Sequence, residues 1–308
     1  MPKQLNERVF IIDGHDLNVE ERTGTYVLVE EQLTLIDTSA SPSVPYIKEG
    51  LQEMGLSLAQ VKYIIVTHIH LDHAGGAGLL LQECPDAKVV VHPKGARHLA
   101  DPSRLIAGAK MVYGDKFEPL FDPIVPIPED RLLIRTEGDH LEIGPDCLLE
   151  FWDTPGHAKH HFSIVHPGSN GIFAGDTVGI RYEQLAKDGI AFYLPSTSPN
   201  QFDPEAMQAA IERIRNACFD AIYFGHYSMS QEPGEALDQV EGWLRIFVEE
   251  AEAVKAAEGG PEQLAERLTG RVKAHLLDLG VREDHNVFEL IRLDLDVSSM
   301  GLMESISK

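Results

Sequence analysis

The chain has 308 residues and is acidic: 49 aspartates and glutamates against 26 lysines and arginines give a formal net charge of −23. This balance argues against an extended nucleic-acid surface, which needs clustered basic side chains. Three cysteines, none of them in a CxxC pair, exclude a disulfide framework. No run approaches the roughly 20 apolar residues that span a membrane, and no amino-terminal stretch has the pattern of a signal peptide. A cytoplasmic globular protein with no nucleic-acid or membrane partner is therefore predicted.

The amino-terminal part predicts a sheet followed by a helix. Residues 8–13, 25–30 and 33–37 read as three strands, with turns near Gly14 and Gly24. Residues 42–54 then carry apolar side chains at helical spacing, and Gly55 ends that helix. Such an order of strands and helices is typical of an α/β fold.

A histidine-rich segment follows the next strand. The apolar residues 63–66 predict a buried strand, and the sequence THIHLDH comes directly after it at residues 67–73. An α/β protein places ligands at the carboxyl ends of its strands. Imidazole and carboxylate groups at this density suit a divalent cation such as zinc, iron or manganese. Burying them at one strand end without a shared partner would be costly, so the segment predicts a metal site.

The middle of the chain continues the alternation. A helix over residues 78–82 and a strand over 88–92 are predicted, and residues 101–128 are less regular and rich in Pro, Gly and aromatic residues. Two interpretations of that segment stay open: a lid or groove wall, and an ordinary packed loop. The second set of strands is predicted at four places: residues 132–135, 147–152, 162–166 and 171–175.

Three further strand ends carry a residue of the metal-ligand type. His157 follows the TPG turn after residues 151–153, Asp176 follows the strand that ends at Gly175, and His226 follows the apolar residues 221–224. Four strands therefore each deliver an imidazole or a carboxylate at their carboxyl end, which a random scatter of histidines would not do.

The order HxHxDH, TPGH, GD and GH resembles the metallo-β-lactamase-fold hydrolase superfamily over about residues 8–230. The resemblance implies a four-layer αββα sandwich with two metal ions at one edge of the sheets. Carried over position by position, it implies that the first ion is bound by His68, His70 and His157. The second would be bound by Asp72, His73 and His226, and Asp176 would bridge both.

The same resemblance implies a hydrolytic reaction. Sites with open coordination positions are catalytic rather than structural, and two ions lower the pKa of a shared water and polarise a carbonyl oxygen. We expect a bridging hydroxide to attack an ester, thioester or lactone, with Asp72 accepting its proton. Zinc is the first expectation for both ions, and the ligands also suit iron or manganese.

The sequence constrains the substrate less than it constrains the metal ligands. Glyoxalase-II-like enzymes carry a GCGR-type segment after the bridging Asp, where this chain has TVGIRY at residues 177–182, so glutathione thioesters are disfavoured. An ester or lactone hydrolase with an apolar groove is the leading hypothesis. A di-iron oxygen-binding or redox-sensing protein on the same ligands is the alternative, although His70 stands where the oxygen-reducing flavodiiron branch has Glu. A closed structural zinc site is a third hypothesis, which is disfavoured because seven ligands exceed the four that such a site uses.

Candidate substrate-binding residues lie near the ligands. The nearly uncharged segment 190–197 is interpreted as a groove lining, and Tyr182 or Tyr193 could donate a hydrogen bond to an oxyanion. His161 could face the groove or orient a metal ligand. A core position is the alternative for each of them, and the histidines elsewhere, His166 included, are interpreted as structural.

The carboxyl-terminal part has a helical pattern and no metal-ligand motif. Helices are predicted over residues 235–257 and 262–279, and a third apolar segment over 286–295. We therefore divide the chain into a catalytic domain at residues 1–230 and a helical extension at 231–308 packed on it. The extension could cap the sandwich, wall the groove of a small-molecule substrate or form a homodimer contact.

Overall fold

The computed structural model describes residues 1–307, which form two compact units. The first, the sandwich unit, comprises residues 1–153, 160–175 and 219–231. The second, the helical unit, comprises residues 154–159, 176–218 and the described residues from 232 onward. The predicted boundary at residue 230 stays a prediction, and the carboxyl-terminal helices share their unit with two earlier segments.

The first sheet of the sandwich unit has seven strands in chain order. They are β1 (Lys3–Gln4), β2 (Val9–Asp13), β3 (Gly24–Leu28), β4 (Thr34–Ile36), β5 (Tyr63–Ile65), β6 (Lys88–Val91) and β7 (Leu132–Ile134). Strands β1 to β4 pair antiparallel, and β4 to β7 pair parallel. The carboxyl ends of β4 and β5 therefore lie side by side, which brings the residues after Ile36 next to those after Ile65.

The second sheet has six strands in the order β15-β14-β11-β10-β9-β8. They are β8 (His140–Gly144), β9 (Cys147–Asp153), β10 (Phe162–His166), β11 (Gly171–Gly175), β14 (Ala221–Phe224) and β15 (Met229–Ser230). The prediction that residues 132–135 belong to this second set was wrong, because β7 pairs with β6 in the first sheet. Sheet membership depends on which distant strand supplies the partner, and the local pattern does not contain that information.

The two sheets share a buried core. Tyr26 from the first sheet and Phe151, Phe173 and Tyr223 from the second belong to one apolar cluster. The Phe173 and Tyr223 rings stack at 4.4 Å, and the Tyr26 ring meets Phe173 edge to face at 5.0 Å. Such offset and edge-to-face pairs stabilise a core beyond the apolar area that they bury.

Helices pack against the outer face of the first sheet. The sandwich unit contains α1 (Val44–Glu53), α2 (Leu71–Ala74), α3 (Ala77–Leu81), α4 (Pro93–Ala100), α5 (Ser103–Tyr113) and α6 (Phe117–Phe121). The prediction of an irregular segment at 101–128 was wrong, since α5 and α6 occupy most of it. Pro102 precedes α5 and Gly114, with φ of 54°, ends it, so these residues bound a helix instead of breaking one. Phe117 and Phe121 are buried in a cluster with Leu71.

The helical unit contains a short hairpin, β12 (Ile180–Arg181) with β13 (Tyr193–Leu194), and five helices. These are α7 (Glu183–Ala186), α8 (Pro204–Ala217), α9 (Pro233–Ala256), α10 (Pro261–Asp278) and α11 (Val287–Ser305). The two predicted carboxyl-terminal helices are confirmed as α9 and α10. The third segment is longer than predicted, since α11 continues for ten residues past Leu295 to bury Leu302. Glu250 of α9 is buried and pairs with Arg267 of α10 at 2.5 Å.

Within residues 1–307, none of the helices is both long enough and apolar enough to traverse a bilayer.

Candidate metal centre

The predicted ligands divide between the two units. His68, His70, Asp72, His73 and His226 belong to the sandwich unit, whereas His157 and Asp176 belong to the helical unit. Each group is described in the frame of its own unit.

Asp72, His73 and His226 form a compact cluster in the sandwich unit. Oδ2 of Asp72 lies 3.7 Å from Nε2 of His73 and 3.9 Å from Nε2 of His226. The potential ligand atoms of the three residues all lie within 4.8 Å of one another. The two imidazoles are almost fully buried, at 1% and 5% side-chain exposure, while Asp72 is 25% exposed. Solvent therefore reaches this cluster at the carboxylate.

Local structure explains how the sequence brings this cluster together. The chain leaves β5 at Ile65, and the single helical turn α2 begins at Leu71, so Asp72 and His73 lie on that turn. His226 follows β14, and the amide of Gly225 donates to the Gly175 carbonyl at 3.0 Å. Tyr227 and Ser228 then adopt positive φ values of 58° and 66°, which reverse the chain sharply.

A tyrosine from the first sheet fixes the turn that carries His226. The Tyr26 hydroxyl lies 2.6 Å from the carbonyl oxygens of both Phe224 and Ser228. Tyr26 is 2% exposed, so these carbonyls have little water to bind in its place. The hydroxyl therefore closes the turn from the interior of the sandwich.

Asp37, which the motif analysis did not single out, orients His73. Its Oδ2 lies 3.1 Å from Nδ1 of His73. The same carboxylate accepts from the amide of Thr67 at 2.7 Å and from the Thr67 hydroxyl at 2.9 Å. A carboxylate on one imidazole nitrogen holds the proton there and leaves the other nitrogen free to bind a metal. The predicted strand at 33–37 ended on this Asp, which was the available signal.

The remaining histidines of the motif pack ring against ring. His68 is fully buried, and its ring lies 4.2 Å from that of His73 and 4.6 Å from that of His70. His160 and His161 join this cluster, with the His161 ring 5.2 Å from His68. His161 is 1% exposed, so it lies within the ligand cluster, and a role in contacting substrate stays a prediction.

Gly175 leaves no room for a side chain beside this cluster. It has φ of 51°, and a Cβ there would lie 2.4 Å from Nε2 of His161 and 2.9 Å from the Thr67 side chain. A glycine is therefore required both by the backbone conformation and by the close packing.

In the helical unit, His157 and Asp176 form a pair of their own. Nε2 of His157 lies 3.7 Å from Oδ2 of Asp176, and both residues are buried. Nδ1 of His157 lies 3.0 Å from the carbonyl oxygen of Ser196, and the Ser196 hydroxyl donates to Asp176 at 3.0 Å. Ser196 thus orients both side chains, and the sequence analysis, which interpreted its segment as a groove lining, missed this role.

Two predicted substrate-binding tyrosines lie inside the helical unit. The Tyr182 hydroxyl is 3.0 Å from Oδ2 of Asp294 on α11, and Tyr182 is 1% exposed. Tyr193 is 2% exposed, and its amide donates to Gln239 on α9 at 3.2 Å. These contacts give both residues a place in the core of their unit, and their substrate-binding role stays a prediction.

A buried ion pair completes the surroundings of Asp72. Oδ2 of Asp16 lies 3.1 Å from Nε of Arg22, and both side chains are at least nine-tenths buried. Burial raises the pKa of Asp16 to about 6 although Arg22 lowers it, and the nearby Asp72 carboxylate raises it further. Neither residue was predicted to be functional from the sequence.

The donor set of each unit fits divalent cations. Buried imidazoles whose second nitrogen is held by Asp37 or by the Ser196 carbonyl are the usual form of histidine ligands. Carboxylates at Asp72 and Asp176 add hard oxygen ligands, which zinc, iron and manganese all accept. The residues therefore suit the metals that the resemblance implied, without selecting one.

Comparison with known proteins identifies the superfamily of the chain. The sequence profile of the metallo-beta-lactamase superfamily matches residues 20–226. The metallo-beta-lactamase fold-containing protein ST1585 of Sulfurisphaera tokodaii is 28% identical over 178 residues, which are 56% of this chain and 61% of that protein. The crystal structure of ST1585, described as an archaeal metallo-beta-lactamase superfamily protein from Sulfolobus tokodaii, matches with a TM-score of 0.66. That match has 20% identity and covers 97% of this chain and 100% of that one.

Two further relatives have names that state an activity. N-acyl homoserine lactonase AttM of Rhizobium radiobacter is 30% identical over 117 residues, which are 38% of this chain and 40% of that protein. The cytoplasmic hydroxyacylglutathione hydrolase of Arabidopsis thaliana is 29% identical over 127 residues, which are 39% of this chain and 36% of that protein. The sequence matches thus span less than two thirds of the length of these relatives and of ST1585.

The chain belongs to the metallo-beta-lactamase superfamily, which includes metal-dependent hydrolases, and it has the fold of that superfamily. The predicted family and fold class are confirmed. The carboxyl-terminal helices form part of the helical unit.

Proposed function

We propose that this protein is a metal-dependent hydrolase that cleaves the carbonyl–oxygen bond of an ester or a lactone. The main support is the Asp72–His73–His226 cluster, in which two buried imidazoles flank one partly exposed carboxylate. Buried, hydrogen-bonded imidazoles aimed at one place are costly to assemble unless a cation binds there. Membership of the superfamily, which includes metal-dependent hydrolases, supports the same proposal.

The proposed centre holds two divalent cations, zinc in the first instance, with iron or manganese as the other candidates. His68, His70 and His157 would hold one, Asp72, His73 and His226 the other, and Asp176 would contact both. When bound, such a pair supplies Lewis acidity, which lowers the pKa of water and polarises a carbonyl oxygen.

The chain's own residues have separate tasks in this proposal. Asp37 holds the proton on Nδ1 of His73 and so keeps Nε2 available as a ligand. Ser196 holds His157 and Asp176 in one orientation through its carbonyl and its hydroxyl. Asp72 is the exposed member of its cluster, which supports the proposal that its carboxylate accepts the proton of the attacking water.

The ester or lactone class rests on the relatives and on the sequence. One relative is named a lactonase and another a hydroxyacylglutathione hydrolase. The residues after Asp176, TVGIRY, contain one basic residue, and the chain has a net charge of −23. A glutathione thioester carries a net negative charge, which this acidic chain opposes, so an uncharged acyl ester or lactone is the better substrate.

Elemental analysis of protein purified without added metal or chelator, with turnover measured on lactones, thioesters and simple esters, tests the proposal. We expect at least two zinc, manganese or iron ions per chain and turnover of one ester class. Asp72→Asn should lower turnover by a factor on the order of 10²–10⁴. Asp86→Asn, which changes an exposed carboxylate paired with Lys62, is the matched control.

Wild-type turnover by a fully metal-loaded Asp72→Asn protein would overturn the role of that carboxylate. Two irons per chain, no turnover of any ester and an absorption band that changes on exposure to air would instead support the di-iron oxygen-binding or redox alternative.

A further inference from the structure

A second group of metal-ligand side chains lies in the sandwich unit, away from the candidate centre. Glu30, Cys147 and His166 each offer a ligand atom, and these atoms all lie within 4.8 Å of one another. Cys147 and His166 are each 2% exposed, and the Glu30 side chain is 4% exposed. A carboxylate, a thiol and an imidazole thus meet in the interior.

Strand register puts this group at the opposite end of both sheets. In the second sheet, His166 pairs with Gly171 at the start of β11, whereas Asp176 and the Gly225 contact lie at its far end. In the first sheet, Glu30 follows β3, which runs antiparallel to β4, and Asp37 follows β4 at the other end. The group is therefore distinct from the candidate metal centre.

The imidazole of His166 presents an available nitrogen to this group. Its Nδ1 lies 2.8 Å from the Ser169 hydroxyl. Ser169 also hydrogen-bonds the Tyr223 hydroxyl, which accepts from the Asn6 amide at 2.6 Å. A proton on Nδ1, donated to Ser169, is the tautomer in which Nε2 can bind a metal. Nε2 is buried and has no hydrogen-bond partner among residues 1–307. Burial lowers the pKa of His166 to about 4, with help from the charge of Arg8, so the imidazole is neutral at neutral pH, which is the form that binds a metal.

The other two side chains are also positioned to bind. Nη1 of Arg8 donates to Oε2 of Glu30 at 2.8 Å, which fixes the carboxylate. A Cβ on Gly144 would lie 3.0 Å from Oε2 of Glu30, so the carboxylate reaches across to the turn between β8 and β9. Burial raises the pKa of Cys147 to about 12, and a metal that binds there would release the thiol proton.

We propose that Glu30, Cys147 and His166 form a third metal site that binds a zinc ion and links the two sheets. A carboxylate oxygen, a sulfur and an imidazole nitrogen are each ligand types that zinc accepts. A cavity of about 390 Å³, lined by Glu30, His166, Asn6 and Asp220 among others, adjoins the site. It would give the ion an entry path and leaves room for a water as fourth ligand. Glu30 comes from the first sheet and the other two ligands from the second, so the ion stabilises their packing.

Cobalt(II) substitution tests this site separately from hydrolysis. The proposed catalytic ligands contain no sulfur, so a cobalt–thiolate charge-transfer band reports the third site alone. The chain has three cysteines, and the double variant Cys84→Ala/Cys218→Ser leaves only Cys147. We expect this variant to keep the band and to bind one cobalt more per chain than a Cys147→Ser variant, which should lose the band.

His166→Gln serves as a second variant at the site, and it should weaken the cobalt affinity measured from the band by about tenfold or more. Absence of the band in the double variant, with the other sites loaded, would overturn the proposal. This outcome needs no substitution at the site, so it does not depend on whether Cys147→Ser folds. Neither result requires turnover, which keeps the third site distinguishable from the proposed hydrolase activity.

Discussion

The carboxylate of Asp37 lies 3.1 Å from Nδ1 of His73, and the two residues are 36 positions apart in the chain. Parallel pairing of β4 with β5 creates this contact, because it aligns the residue after Ile36 with the segment after Ile65. Asp37 has φ of 55°, and its carboxylate also accepts from Thr67. The orientation of a predicted metal ligand therefore depends on a strand that contains no predicted ligand.

Replacing this carboxylate should weaken metal binding. Asparagine tolerates the left-handed backbone of Asp37, so Asp37→Asn removes the charge without forcing the chain to move. We expect metal affinity at the His73 site to fall by about 10–100-fold, measured by competition with a chelator. Asp86→Asn, which is exposed, is the control. Equal affinities in the two variants would show that Asp37 does not orient His73.

Tyr26→Phe should destabilise the sandwich unit. The change keeps the ring contacts with Phe173 and Tyr223, and it removes the hydroxyl from the carbonyls of Phe224 and Ser228. The Ser228 carbonyl still accepts from the Phe224 amide at 3.0 Å, so the expected cost is that of one lost buried hydrogen bond, about 0.5–1.5 kcal/mol. Urea unfolding should show that loss, whereas the matched change at the exposed Tyr46 should show none. An unchanged unfolding free energy for Tyr26→Phe would mean that water replaces the hydroxyl.

The stability of the protein should decline at mildly acidic pH in part because of His92. Burial lowers the pKa of His92 although the neighbouring Asp153 raises it. The unfolded chain therefore binds a proton at His92 near its ordinary pKa of about 6.5, before the folded chain does. Stability is full above that pH and is lost as the pH falls from there to the lower folded pKa.

The variant His92→Asn isolates this contribution. Asparagine can still cap α4, where Nδ1 of His92 now accepts from the amide of Lys94 at 3.1 Å. Melting temperatures between pH 8 and pH 5 should fall less steeply for the variant than for the wild-type protein. Parallel curves would exclude His92 as a source of the acid sensitivity.

Ser196→Ala should weaken metal binding more than Ser198→Ala does, because only the Ser196 hydroxyl contacts Asp176. A hydrogen bond to a buried carboxylate contributes about 1.5–3 kcal/mol, and one to a carbonyl about 1 kcal/mol. The Ser196 hydroxyl donates to Asp176, whereas the Ser198 hydroxyl donates to the carbonyl of His157. We expect Ser196→Ala to lower metal affinity more than Ser198→Ala in the same chelator titration. The reverse order would contradict the role given to Ser196.

Several residues show where sequence reasoning succeeds and where it ends. The motif at 67–73 was recognisable because its ligands directly follow an apolar strand, so local sequence carries both signals. Asp37 also ends a predicted strand, but a single Asp at that position is equally typical of a turn. Its role becomes visible only when β4 is known to pair with β5. The same missing information put residues 132–135 in the wrong sheet. Ser196 lay in an apolar segment, where its neighbours suggested a groove lining.

The Tyr26 hydroxyl joins parts of the chain that are 198 and 202 residues apart. Contacts this distant in sequence form late, because closing a long loop costs entropy before any contact repays it. During synthesis from the amino terminus, the Tyr26 hydroxyl on β3 therefore cannot form these hydrogen bonds until residues 224–228 have been made. The first sheet can pair its own strands earlier, but the cluster around Asp72 becomes complete only when the last strands of the second sheet have joined.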